Sequence, residues 1–156
     1  MPITLHRSPA ADLDPVLLYR LLELRVAVFV VEQQAAYPDL DGRDVEPGAE
    51  LLWAEEDGAV LSTARVLREP DALRIGRVAT APEARSRGVA SALMRDAVAR
   101  CGELDPALPV LLDAQEHLAD WYARFGFVAT DDHHVEDGIP HVTMRRDPDP
   151  SATPHP

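Results

Sequence analysis

The chain has 156 residues, of which 46% are apolar and 27% charged, and a net charge of −12. That length and balance describe one globular domain with its own core, and the acidity argues against a general nucleic-acid or anionic-membrane surface, since both need a basic face. The opening lacks the basic and apolar regions of a secretion signal, the longest wholly apolar run covers only residues 26–31, and the lone Cys101 allows no internal disulfide, so a cytoplasmic protein is expected.

"PITLHR" reads as a first strand. Asp14 then stands where a helix N-cap belongs, with Pro15 at the first helical position, and Leu18, Leu21, Leu22, Arg25 and Phe29 keep a helical period. The β-branched residues 26–31 leave the end of that helix open. "AAYPDLDGRDVEPGAE" is a loop or an interrupted second helix, and "LLWAEEDGAVLSTARVLRE" is a hairpin turning at Asp57-Gly58. "ALRIGRVATAP" is a further strand stopping at Pro82. A helix, the buried strand "PVLLDAQ", a helix "HLADWYARFG" closed by Gly126, and two strands joined near Gly138 complete the domain, residues 1–146. Hairpins mixed with two crossover helices imply an α/β mixed sheet flanked by helices, and the Pro-rich tail 147–156 is expected to be disordered.

The stretch "APEARSRGVASALMRDAVARC", residues 81–101, stands apart. Ala90, Leu93, Met94, Ala97, Val98 and Cys101 form one apolar helical face, which is packing. Arg85, Arg87 and Gly88 crowd the helix entrance, where unpaired N–H groups already carry partial positive charge. Arginine there is unfavourable unless an anion arrives. A strand delivering a glycine turn into a helix N-terminus makes a cradle for such an anion. "RSRGVAS" lacks the Gly-Lys-Ser/Thr ending of a nucleotide P-loop and two glycines of the dinucleotide fingerprint. A pyrophosphate loop of the Arg-x-x-Gly-x-Gly/Ala kind remains.

"VATAPEARSRGVASALM" resembles the acetyl-CoA-binding segment of the GNAT (Gcn5-related) N-acetyltransferases, and "AQEHLADWYARFGF" resembles a later segment of the same superfamily. "LRVAVFVVEQ", "YPDLDGRD" and "EDGIPH" are similar to its ElaA-like branch. The resemblance implies the acyl-CoA N-acyltransferase fold, a mixed sheet whose fourth and fifth strands splay apart to admit pantetheine. It places Val78 and Thr80 beside the pantetheine amides, the backbone N–H of Val78 or Ala79 at the developing oxyanion, and Arg85, Ser86, Arg87, Gly88, Val89, Ala90 and Ser91 around the pyrophosphate. Ala90 takes the last glycine position of the motif. Gln115 stands where the superfamily commonly has Asn, which implies an amide contact to the cofactor, and the resemblance implies Tyr122 as the proton donor to the leaving thiolate. The implied donor is acetyl-CoA, and dimers are common in the superfamily.

Other residues carry two readings each. Tyr122 shares an apolar stripe with Leu118, Trp121 and Phe125, so a purely core role competes with catalysis. Glu32 is either an acceptor-side base or a solvated helix-end carboxylate, and Asp113 either a second base or an edge-facing residue. His141, after "EDGIP", is an acceptor-side or general-base candidate. Strand alternation sends His133 and His134 to opposite faces and the spacing fits no metal motif, so no metal is expected. The aspartates of "DLDGRD" fail the spacing of a calcium loop and read as an acidic loop selecting a cationic acceptor. These features together describe an N-acetyltransferase moving acetyl from acetyl-CoA to a primary amine of a small molecule or protein. The alternative is a catalytically silent acyl-CoA-binding sensor or interaction module.

Overall fold

Asp14 accepts a hydrogen bond from the Leu17 N–H at 3.2 Å, and Pro15 opens helix α1, Pro15–Val26. In the computed structural model, which describes residues 2–149, this helix does not stop at its β-branched run. It widens into a π-helical turn over Ala27–Glu32, where Gln33 N–H donates to Val28 O at 3.2 Å and Ala35 N–H to Val30 O at 3.1 Å. Consecutive valines crowd an ordinary helical turn, and such widened turns often mark functional sites. The residues that follow form a loop with one short 3-10 turn, Arg43–Val45, and no second helix.

The strands are β1 (Thr4–Ser8), β2 (Glu50–Glu56), β3 (Ala59–Arg68), β4 (Leu73–Thr80), β5 (Val110–Gln115), β6 (Val128–Glu136) and β7 (Ile139–Arg146). Helix α2 (Val89–Leu104) crosses from β4 to β5, and α3 (Ala119–Ala123), entered through a 3-10 turn at Glu116–Leu118, leads to β6. The β2–β3 turn falls at Asp57-Gly58, with φ of 51° and 79°, as the sequence predicts. Of the tail expected to be disordered, residues 147–149 have no regular structure and 150–156 lie outside the described residues.

The strands form one sheet in the order β1-β2-β3-β4-β5-β7-β6. Only β4 and β5 run parallel, and they pair at Leu73↔Val110 and Arg74↔Leu111 alone. Beyond Arg74 the two strands part. Packed against the sheet, α2 contributes Leu93 and Ala97, both 0% exposed, to a core with Leu52, Leu73, Leu112 and Met144. Each fully buried leucine supplies about 2 kcal/mol of the apolar burial that holds the parted sheet in one piece. Cys101 sits in this core, and burial pushes its thiol up to about 12.

A bulge shapes β4 where the parting begins. Thr63 pairs with Ala79 but Arg65 with Gly76, so β4 carries an extra residue, and Arg77 there adopts φ 52°. A non-glycine residue in this left-handed region costs about 1 kcal/mol. The Arg77 side chain opposes that cost by pairing with Asp39 at 2.9 Å and Asp41 at 3.1 Å, with its guanidinium 5.4 Å from the Tyr37 ring centroid.

Candidate active site

The gap between β4 and β5 opens into a cavity of about 610 Å³, walled by β4, the π-helical turn, the end of β5, α3 and the β6–β7 turn. Ala81 N–H donates to Leu61 O at 2.8 Å and Ser62 Oγ to Ala79 O at 2.9 Å, so Ala79 and Ala81 turn their backbone toward β3. Strand alternation then turns the backbone groups of Val78 and Thr80 to the open side. The Thr80 carbonyl accepts from Arg85 Nε at 3.2 Å, which leaves the Val78 groups and the Thr80 N–H for a ligand.

A second cavity of about 330 Å³ continues the first across the start of α2, lined by Arg85, Ser86, Gly88, Val89, Ala90 and Ser91 together with Trp121 and Arg124. Ser86 and Gly88 have φ of 66° and 77°, and no side chain caps the N-terminus of α2, whose first turn also contains no acid. The uncapped N–H groups therefore face an open, anion-sized space. A Cβ at Gly88 would meet nothing within 4 Å, so the space beside it is open. Val89 is only 1% exposed, and its part in the cradle is its backbone. Arg87 lines neither cavity, because Glu56 holds its guanidinium at 2.7 Å. Arg124, which sequence reasoning passed over, lines the cradle, and its guanidinium has no ion pair or hydrogen bond among the described residues. The signal available was a basic residue following Tyr122 on the helix that borders the slot.

Tyr122 is 9% exposed and packs in the main core edge-on to Trp121 at 4.9 Å between ring centroids. It also lines the larger cavity, its hydroxyl makes no hydrogen bond within the described chain, and burial pushes it up to about 12. Both readings of this residue thus hold at once: the ring is core, and the protonated hydroxyl is uncommitted. Gln115, at the end of β5, donates from Nε2 to Gln33 Oε1 at 3.3 Å and joins the slot to the π-helical turn.

Glu32 lines the cavity but is bound to Arg85. The hydrogen bond from Arg85 holds its carboxyl below the usual carboxylate range despite opposing desolvation. The expectation that "DLDGRD" presents free acid to an acceptor is corrected by the ion pairs around it. Asp39 and Asp44 are buried against Arg25, and Asp41 receives Arg65 at 2.9 Å and Arg77 at 3.1 Å. Burial alone would raise Asp41, but hydrogen bonds from Arg65 and the Arg43 N–H, with the charges of Arg65 and Arg77, bring it to about 2. Asp113 is similarly engaged, by Arg74 at 2.9 Å and the Thr143 hydroxyl at 2.8 Å.

His141 is 8% exposed, and its Nδ1 lies 2.8 Å from Ile139 O. A carbonyl only accepts, so Nδ1 donates to it, while Nε2 lies 3.6 Å from Glu136 Oε2. His134 stacks on His141 at 5.9 Å between centroids, while His133 turns away to Glu116 at 2.8 Å. Asp113, His134 and Glu136 bring ligand-type atoms within 4.8 Å of one another, a grouping accounted for by their bonds to Arg74, Thr143 and each other. No helix among the described residues is long and apolar enough to cross a membrane.

Comparison with known proteins agrees with this geometry. Residues 20–148 match the family model described as an acetyltransferase (GNAT) domain. A UPF0039 protein of Mycobacterium tuberculosis is 44% identical over 94% of both chains, and protein ElaA of Escherichia coli is 38% identical over 92% of this chain and 94% of its own. Among solved structures, an acyl-CoA N-acyltransferase from Pseudomonas aeruginosa superposes with a TM-score of 0.88 at 39% identity, covering 93% of this chain and 99% of that one. Escherichia coli ElaA gives a TM-score of 0.88 at 35% identity, covering 94% and 100%. The parted mixed sheet, the glycine cradle and these matches show that the chain belongs to the GNAT acetyltransferase family.

Proposed function

We propose that the chain is an N-acetyltransferase that moves acetyl from acetyl-CoA to a primary amine by direct attack. The observation that carries the reading is the parting of β4 and β5 beyond Arg74, beside the uncapped start of α2. Together they offer an extended arm a strand edge and a diphosphate a ring of N–H donors. Acetyl-CoA supplies an activated acyl carbon on a sulfur leaving group. The Val78 edge binds the arm, the Gly88 cradle and Arg124 hold the phosphates, and Gln115 with Gln33 borders the slot.

His141 Nε2 takes the ammonium proton, and the freed amine nitrogen attacks the acyl carbon. The C–N bond forms, the Val78 N–H steadies the negative charge on the acyl oxygen, the nitrogen gives its second proton to solvent, and the C–S bond breaks. Tyr122, protonated at neutral pH, gives its proton to the thiolate and recovers one from solvent. Glu32 is a tether for Arg85 in this scheme and not the base.

The test is to incubate the protein with acetyl-CoA and a panel of primary amines while following free thiol and the mass of the amine product. The expected result is thiol release matched by N-acetylated amine. Tight acetyl-CoA binding without thiol release for any amine would replace the reading with a silent acyl-CoA-binding module.

A further inference from the structure

The charges lining the larger cavity pair off unevenly. Its arginines are all engaged: Arg43 with Glu69 at 2.9 Å, Arg65 with Asp41 at 2.9 Å, Arg74 with Asp113 at 2.9 Å, Arg77 with Asp39 at 2.9 Å, and Arg85 with Glu32 at 2.8 Å. No arginine of the wall is spare for a carboxylate or phosphate on the acceptor. Of the lining carboxylates, Glu32, Asp41 and Asp113 are consumed by the same pairs. The surplus lies at one place, the turn between β6 and β7.

Asp137 lines the cavity and has no hydrogen bond or ion pair among the described residues. Glu136 meets only imidazoles, with Oε1 at 3.1 Å from His134 Nε2 and Oε2 at 3.6 Å from His141 Nε2. The turn that presents them is tight. Glu136 pairs with Ile139 across it, and Asp137 and Gly138 have φ of 48° and 80°, the positive values that a two-residue hairpin turn demands. Two exposed carboxylates thus line the cavity beside the buried His141 imidazole.

We infer that the acceptor is a diamine-type cation: a primary amine that reacts at His141 and carries a second positive charge held by Glu136 and Asp137, with no carboxylate beside it. This rests on the N-acetyltransferase reading. A cation arriving here meets Asp137 without a partner among the described residues and Glu136 engaged only by imidazoles, whereas an anionic acceptor would have to displace an arginine ion pair.

The test compares three amines of matched length: cadaverine, pentylamine and 6-aminohexanoate. Binding to the CoA-loaded protein is measured by calorimetry, and thiol release from acetyl-CoA is measured separately. The expected result is cadaverine ahead of pentylamine by roughly five- to tenfold in both readouts, with 6-aminohexanoate last. Asp137→Asn, an exchange that left-handed backbone tolerates, should narrow the cadaverine preference, and so should high salt. Equal or reversed ranking in thiol release overturns the inference and leaves the acetyltransferase reading standing. Selective cadaverine binding without thiol release from any amine does the opposite, keeping the cation site and overturning the reaction.

Discussion

Glu32 and Arg85 form a two-point ion pair, Oε1 to Nη1 at 2.8 Å and Oε2 to Nη2 at 2.8 Å. It ties the π-helical end of α1 to the loop that leaves β4, with Arg85 Nε also on the Thr80 carbonyl. One side chain therefore lines both cavities. A carboxylate held low by a bidentate arginine is a weak proton acceptor. Glu32→Gln should leave the acidic limb of the kcat/KM pH profile in place and weaken acetyl-CoA binding a fewfold as the loop loosens. Disappearance of that limb would make Glu32 the base.

Gly88 carries two demands at once, a positive φ and an open cradle. Gly88→Asn tests the first, because Asn accepts left-handed backbone at a cost of about 1 kcal/mol or less. Gly88→Glu adds a carboxylate where the uncapped N–H groups converge. Calorimetry should show acetyl-CoA affinity falling by more than tenfold further in the Glu variant than in the Asn variant, with both folded. Arg124→Gln should weaken binding and flatten its salt dependence, whereas Arg87→Gln, already engaged by Glu56, should do so less.

Local chemistry made the glycine turn into α2 and the succession of strands and helices along the chain legible. Gly88, the uncapped helix start and the apolar face through Leu93 and Ala97 are each set by near neighbours, as are the hairpin turns at Asp57 and Asp137. The loop of residues 39–44 was less legible because its charges are matched across the fold. Asp39, Asp41 and Asp44 look free in a polar loop, and the arginines that neutralise them come from α1, β3 and β4. Arg25 even sat within the helical period of an apolar face, and it is 2% exposed because Asp39 and Asp44 receive it. No periodicity reports such partners.

The same pairing sets an acid limit on stability. Asp41 falls from the usual carboxylate value to about 2 on folding, so its contribution is whole above about pH 4 and is lost as pH falls toward 2. Asp41→Asn should cost about 2 kcal/mol at neutral pH, and the gap to the parent should close through that window. Urea midpoints at pH 7 and pH 3 check this. A gap that stays constant between them would show that the ion pairs of Asp41 contribute little.

Tyr122 separates packing from chemistry within one side chain. Its ring is held by the core and by Trp121, and Tyr122→Phe keeps that ring. Its hydroxyl donates to nothing in the described chain, so removing it leaves no orphaned partner and should shift the melting temperature little. Tyr122 lines the slot, and its hydroxyl stays protonated because burial pushes it up to about 12. Its loss should therefore appear in turnover. A thiolate is a tolerable leaving group at neutral pH, so the expected fall in single-turnover rate lies at or below the lower end of the ~10²–10⁴-fold range for general acids. Acetyl-CoA affinity should hold, since the ring and the cradle are untouched. A Phe variant that melts lower yet turns over at full speed would confine Tyr122 to the core and leave the leaving sulfur to be protonated by water.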